Sequence, residues 1–321
     1  MAHLQLLVSP YSSVHEDETY QWRGHQDKTH EQLMDFIKET ARGAEFERDY
    51  NVEQTQVMKA FTAYLNGSPP EYRFEVRDAI QGSLDEWDDY FRIDVGGYMR
   101  DIELKRTLKT QAVNELVTVF DDWQRSTSTF EEDVAIEMRD AGRIYLKSYS
   151  TKRNRLRQGD FNAVLDSPIR SNVVEHMRYH LPDDMPESDQ LNRCAKFFQS
   201  EHFAQVPHEW ISARLFATLK GMVKRGSYAN REEARKRLSG VFEDISHISL
   251  HAPYCSAFIV DTPMADLVRQ PTVALEHRYG VKIFSLNNWD DLLEWLDQLE
   301  ADMSDEHRVG VAAAYPEPKF S

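Results

Sequence analysis

Apolar and polar positions along this chain follow two periods, and the period changes with region. Leu4-Gln5-Leu6-Leu7-Val8 is a short apolar run halted by Ser9-Pro10, which predicts a buried strand over residues 4–8. Ser12, Ser13 and Asp17 then offer N-caps for a helix carrying Glu16 and Glu18. From 29 to 42 the spacing is helical, with Leu33, Phe36, Ile37 and Ala41 on one face. Residues from about 53 to 160 keep that period, as in Leu116, Val119, Phe120 and Trp123, and predict a run of long helices. A loop over 181–187 is marked by Pro182 and Pro186. Beyond it, Ile211, Leu215, Leu219, Met222 and Val223 form the stripe of one amphipathic helix.

The final third alternates in type. A helix near Asp244 is followed by a strand at 257–260, a helix around 264–267, a strand at 281–284 and a helix over 289–299. Asn287 or Asn288 would cap the last helix, which sets Leu292, Leu293, Leu296 and Leu299 on one face. Strands alternating with helices at both ends, with helices alone between them, predict an α/β parallel sheet interrupted by a large all-helical insertion. The expected division is 1–50 with 200–303 for the α/β part, 51–199 for the insertion, and a loose tail over 304–321.

Composition narrows the class. Hydrophobic residues make up 41% of the 321, ample for a core, and no apolar run is long enough to span a membrane. The opening residues carry no basic leader, and only Cys194 and Cys255 occur, without metal-type pairing. A cytoplasmic protein with free thiols is expected. The formal net charge of −16 argues against broad affinity for phosphate backbones. Cations nevertheless crowd two stretches, one from Arg143 to Arg157 and one from Arg214 to Arg237. Each is either a solvated helix face or a local grip on a nucleic-acid strand.

Candidate chemistry gathers at Asp244 and Asp261. The second acid follows the apolar run Phe258-Ile259-Val260, and open α/β sheets bind ligands beyond the carboxyl ends of their strands. A helix cap for Asp244 and a turn start for Asp261 are the plain structural alternatives. His247 and His251 stand four apart, a helical spacing that suits a transition metal, although surface or hydrogen-bonded histidines are commoner. No Glu follows His247, so the metalloprotease pattern fails. His15 beside Glu16 suits packing at a helix start. Phosphate loops and nucleophile elbows are absent from the sequence, and Trp289 and Trp295 fit core stripes.

Several pieces together resemble a known family. They are Val206-Pro207, Ile211-Ser212-Ala213-Arg214-Leu215-Phe216-Ala217, Gly240-Val241-Phe242-Glu243-Asp244-Ile245, Pro253-Tyr254-Cys255, Ile259-Val260-Asp261 and Tyr279-Gly280-Val281-Lys282-Ile283-Phe284-Ser285. With Val8-Ser9-Pro10-Tyr11-Ser12-Ser13-Val14-His15-Glu16, their order resembles uncharacterised bacterial proteins of the PIN-like nuclease family, over roughly 4–25 and 205–300. The resemblance implies a PIN-like parallel sheet flanked by helices and a phosphodiesterase that cuts RNA or DNA with Mg²⁺ or Mn²⁺. It implies Glu16 or Glu18, Asp244 and Asp261 as catalytic acids, with Glu16, Asp244 and Asp261 on the metal. Arg214, Lys220, Lys224 and Arg225 would then touch nucleic-acid phosphates. Two departures are visible: no strand ending in the family's leading Asp precedes Leu4, and Ser256 stands where an acid is expected after Tyr-Cys. They leave either a nuclease of weakened activity or a noncatalytic interaction module, with a homodimer able to cover an unpaired sheet position.

Overall fold

The computed structural model describes residues 6–12, 15, 19, 29–42, 44–80, 111, 114, 118–164, 169–228, 230–237 and 240–314. Helices dominate them. The first part holds α1 (His30–Ala41), α2 (Asp49–Leu65), α3 (Phe130–Arg157), α4 (Ile169–Tyr179), α5 (Glu187–Phe197) and the short α6 (Glu201–Ala204). The second holds α7 (Pro207–Lys224), α8 (Arg231–Arg237), α9 (Val241–His251), β1 (Ala257–Ile259), α10 (Thr262–Val268), α11 (Leu275–Tyr279), β2 (Lys282–Phe284), α12 (Trp289–Ala301) and α13 (Asp305–Ala314).

Local chemistry accounts for the boundaries. Thr29 and Thr129 each open a helix with a reciprocal capping box, to Gln32 and Glu132 respectively. Pro207 begins α7, where its missing N–H costs nothing. The expected stripe of α7 is buried at Ile211, Leu215, Leu219 and Val223. Asn288 is the N-cap position of α12, but its side chain turns back to Ser285 instead of capping.

Two large cores result, joined where α3 lies along α7. One is built from Phe61, Tyr145, Val173, Met177, Phe197 and Phe203 of the helical first part. The other gathers Ile211, Leu215, Leu219, Ile245, Ile248, Leu267, Val281 and Ile283. The stretch expected as a loose tail contains α13, where Val311 is buried and Ser304 Oγ accepts from the His307 N–H.

The PIN-like α/β fold expected from the C-terminal motifs is not the fold of this chain. Among the described residues the sheet has two strands, β1 and β2, parallel, with Ala257 opposite Lys282 and Ile259 opposite Phe284. The N-terminal segment was expected to supply another strand, but its backbone is engaged elsewhere. Tyr11 N–H donates to Ala44 at 3.1 Å, and Phe46 N–H donates to Tyr11 at 2.9 Å. Residues 6–10 line the same cavity as β1, and among the described residues no backbone hydrogen bond joins the two. Residues 4 and 5 of the expected strand lie outside the described residues.

The two edges of this small sheet differ. In a parallel pair alternate residues face the partner strand. Lys282 N–H donates to Ser256 and Val260 N–H to Phe284, so Ala257 and Ile259 present their backbone groups to the other side. No backbone partner meets them among the described residues. On β2 the outward groups of Ile283 are satisfied: its N–H donates to Glu276 at 3.2 Å, and its carbonyl accepts from Arg269.

Candidate functional site

A cavity of about 1360 Å³ opens along the bare edge of β1. Its walls are residues 6–10, Phe46, the first turns of α9, residues 254–261, the start of α10 and one face of α12. Most of that lining is apolar, and Val8, Ile259, Trp289 and Leu293 stay exposed. Five charged or imidazole side chains interrupt it: His15, Arg237, Asp244, His247 and Asp261. Leu292, Leu293, Leu296 and Leu299 of α12 all line the cavity, and of them only Leu292 is buried.

The two expected acids thus share one cavity. Asp244 is in the first turn of α9, and Asp261 follows β1 as the N-cap of α10, its Oδ1 accepting from the Met264 N–H at 2.8 Å. Glu16 and Glu18 lie outside the described residues, while His15 beside them lines the same wall. Carboxylate oxygens are the donors that Mg²⁺ or Mn²⁺ takes. Among the described residues, however, no three His, Cys, Asp or Glu side chains surround a common point.

Imidazoles cluster behind the acids. The His15 and His247 rings meet edge to face with centroids 5.3 Å apart, and His247 and His251 are 4.7 Å apart. Phe46 covers His251 at 4.1 Å. Ser12 N–H donates to His15 Nδ1 at 3.0 Å, and His251 Nε2 lies 3.4 Å from Asp49 Oδ1. Burial, with the neighbouring His251 and His15, lowers His247 to about 3, and burial with His251 lowers His15 as well. Both rings are neutral at pH 7. Burial works to raise the Asp49 carboxyl, but the His251 hydrogen bond and the charges of His251, His247 and His208 outweigh it and lower it. Nδ1 of both His247 and His251 is buried without a hydrogen-bond partner.

Arg214, Lys220 and Lys224, expected to touch phosphates, have other partners, and neither they nor Arg225 line the cavity. Arg214 donates to the Thr272 carbonyl at 2.9 Å and stacks on Trp210. Lys220 and Lys224 converge on buried Asp133 at 2.5 and 2.7 Å. Arg225 is exposed at the end of α7. In the other basic stretch, Arg155 pairs with Asp160 at 2.7 Å and Arg153 with Glu187.

Asp49 and Phe46 carried no local signal in the sequence, because what recruits them is contact with a helix 200 residues away, as in the 202-residue separation of His251 from Asp49. Arg237 was read only as part of a basic stretch. No helix among the described residues is long and apolar enough to cross a membrane. Comparison with family models, with curated proteins and with solved structures returns no match.

Proposed function

We propose that the protein is a metal-dependent phosphodiesterase acting on RNA or DNA, and that the cavity beside β1 is its active site. The observation that carries this reading is the pairing of Asp244 with Asp261 in one cavity, next to Arg237 and two neutral imidazoles. A large apolar cavity with a few convergent polar groups is the usual form of a ligand site. Apolar and aromatic walls, including Phe258 and Trp289, offer faces on which unpaired bases stack. Arg237, ion-paired with Glu233 at 2.8 Å, lines the cavity and supplies a cation for a phosphate oxygen. Water admitted to the cavity is the attacking group. A bound divalent cation would lower the pKa of that water and offset charge on the phosphate.

Labelled single-stranded RNA and DNA, incubated with the protein and Mn²⁺, test the reading. Cleavage is expected, and Asp244→Asn and Asp261→Asn are each expected to abolish it. Asn is as good an N-cap as Asp, so Asp261→Asn keeps the start of α10 intact. Cleavage that persists in both variants, or no cleavage by the wild type with any divalent ion, overturns the assignment.

One observation favours a second reading, a noncatalytic interaction module. The free backbone groups of Ala257 and Ile259, set in an apolar cavity, suit an extended polypeptide that adds a strand to β1. The net charge of −16 would draw a chain with basic flanks. Binding of such a peptide with no cleavage of any nucleic acid would replace the first reading by this one.

A further inference from the structure

We propose that His247 and His251 hold a transition-metal ion of the zinc, cobalt and nickel class through their Nδ1 atoms, with Asp49 orienting His251. Two buried imidazole nitrogens on adjacent rings lack any hydrogen-bond partner, although His251 is 0% exposed. A buried donor or acceptor left unmet is destabilising, and here two belong to rings whose centroids are 4.7 Å apart.

The geometry suits an ion. With a metal–nitrogen bond of about 2.1 Å, each ring centroid stands about 3.2 Å from the ion, and two rings at the tetrahedral angle have centroids about 5.2 Å apart. The observed separation is 4.7 Å, within reach of a small ring rotation. The two residues are one turn apart on α9, and the rigid helix fixes their spacing.

Asp49 settles which nitrogen is offered. A carboxylate beside Nε2 of His251 keeps the proton there and leaves the Nδ1 lone pair free, the arrangement that accompanies metal-binding histidines. His15 plays a different part: its Nδ1 accepts from Ser12 N–H, so the neutral ring carries its proton on Nε2 and serves as a donor to whatever the ion holds. His247 lines the cavity, and water on that side would take the remaining coordination positions once the two rings turn toward the ion. Imidazole donors select this class of ion over Mg²⁺, which takes oxygen. The proposal is independent of phosphodiester cleavage, because ion binding is measured without substrate.

Protein stripped by a chelator, then titrated at pH 7 with Co²⁺, Zn²⁺ and Mg²⁺, tests it by calorimetry and visible absorption. One equivalent of Zn²⁺ or Co²⁺ is expected to bind at least a hundredfold more tightly than Mg²⁺. His247→Asn and His251→Asn are each expected to abolish that binding, and Asp49→Asn to weaken it about 10- to 100-fold. The surface substitution His277→Asn serves as a control and leaves binding unchanged. X-ray absorption on wild-type protein holding one Zn²⁺ keeps the test decisive if a histidine variant fails to fold: two imidazoles in the coordination shell are expected. Binding no tighter than Mg²⁺, binding retained in either histidine variant, or a shell without two imidazoles overturns the proposal.

Discussion

Glu209 Oε1 lies 2.8 Å from the phenol oxygen of Tyr145, and both groups are buried. The same phenol oxygen is 2.6 Å from Glu53 Oε1, yet a phenol has a single proton. Arg170 Nε stands 3.7 Å from Glu53, which marks Glu53 as the acceptor of that proton. Glu209 then supplies the second proton. Its carboxyl is raised, chiefly by burial and also by Glu53, against the opposing influence of His208, Tyr145 and Arg170.

A raised carboxyl gives stability a definite slope with pH. The folded state keeps the Glu209 proton above the ordinary value of 4.5, whereas the unfolded chain releases it there. Stability from this group is complete below 4.5 and declines as pH rises toward the raised folded value. Glu209→Gln keeps a donor for Tyr145 and removes the ionisation. Urea unfolding at pH 4 and pH 8 is expected to show nearly equal stability at pH 4 and a gain for the variant at pH 8. A loss at both pH values would place the proton elsewhere.

Asp133 decides how the basic stretch of α7 is read. Its carboxylate is 2% exposed and takes Lys220, Lys224 and the Ser128 hydroxyl, the last at 2.6 Å. Burial works to raise this carboxyl, but those hydrogen bonds outweigh it and lower it. Asp133→Ala leaves two ammonium groups beside α3 without a counter-charge. The expected loss is about 3 kcal/mol, the low end for a broken buried pair, because both lysines keep some solvent access. Thermal unfolding measures it. Lys224→Met is likewise expected to lower the midpoint and to leave nucleic-acid affinity unchanged.

Those lysines show where sequence reading stopped. The stripe of α7 was legible because eighteen residues repeat one period, and burial follows that period locally. Both strands of the sheet were legible as short apolar runs between turns, Ala257–Ile259 and Lys282–Phe284. The sheet's extent was not, because strand pairing is nonlocal: Tyr11 bonds to residues 44–46 instead of β1, and nothing near Tyr11 announces it. A charge run is equally silent about partners 87 and 91 residues away. The local positions of Asp244 and Asp261, a first helical turn and the end of a strand, were legible in the sequence, and both line one cavity.

Gly142 lets α3 approach Phe198, whose ring stacks on Tyr145 at 5.1 Å. A Cβ at 142 would stand 3.0 Å from Phe198 Cβ and 3.3 Å from its carbonyl oxygen. Neither atom swings aside by a side-chain rotation, so the helices must separate. Ala at a helix interior ordinarily gains about 1 kcal/mol over Gly. Overpacking at this contact costs about 1–3 kcal/mol, so Gly142→Ala is expected to be net destabilising by about 1 kcal/mol. A raised denaturation midpoint would show that α3 has room to move.

The bare edge of β1 predicts self-association. Ile259 is 61% exposed beside backbone groups that no described residue satisfies, the arrangement that recruits a second strand. A three-residue strand offers few ladder bonds, so pairing between two copies is expected to be weak and concentration-dependent. Sedimentation velocity across a concentration series should show a rising average mass for the wild type. Ile259→Lys sets a charge on that edge and should hold the chain monomeric. Because the side chain is exposed, the substitution should shift stability by no more than about 0.5 kcal/mol. A constant monomer mass in the wild type, or association unaffected by the lysine, would remove this edge as the contact between copies.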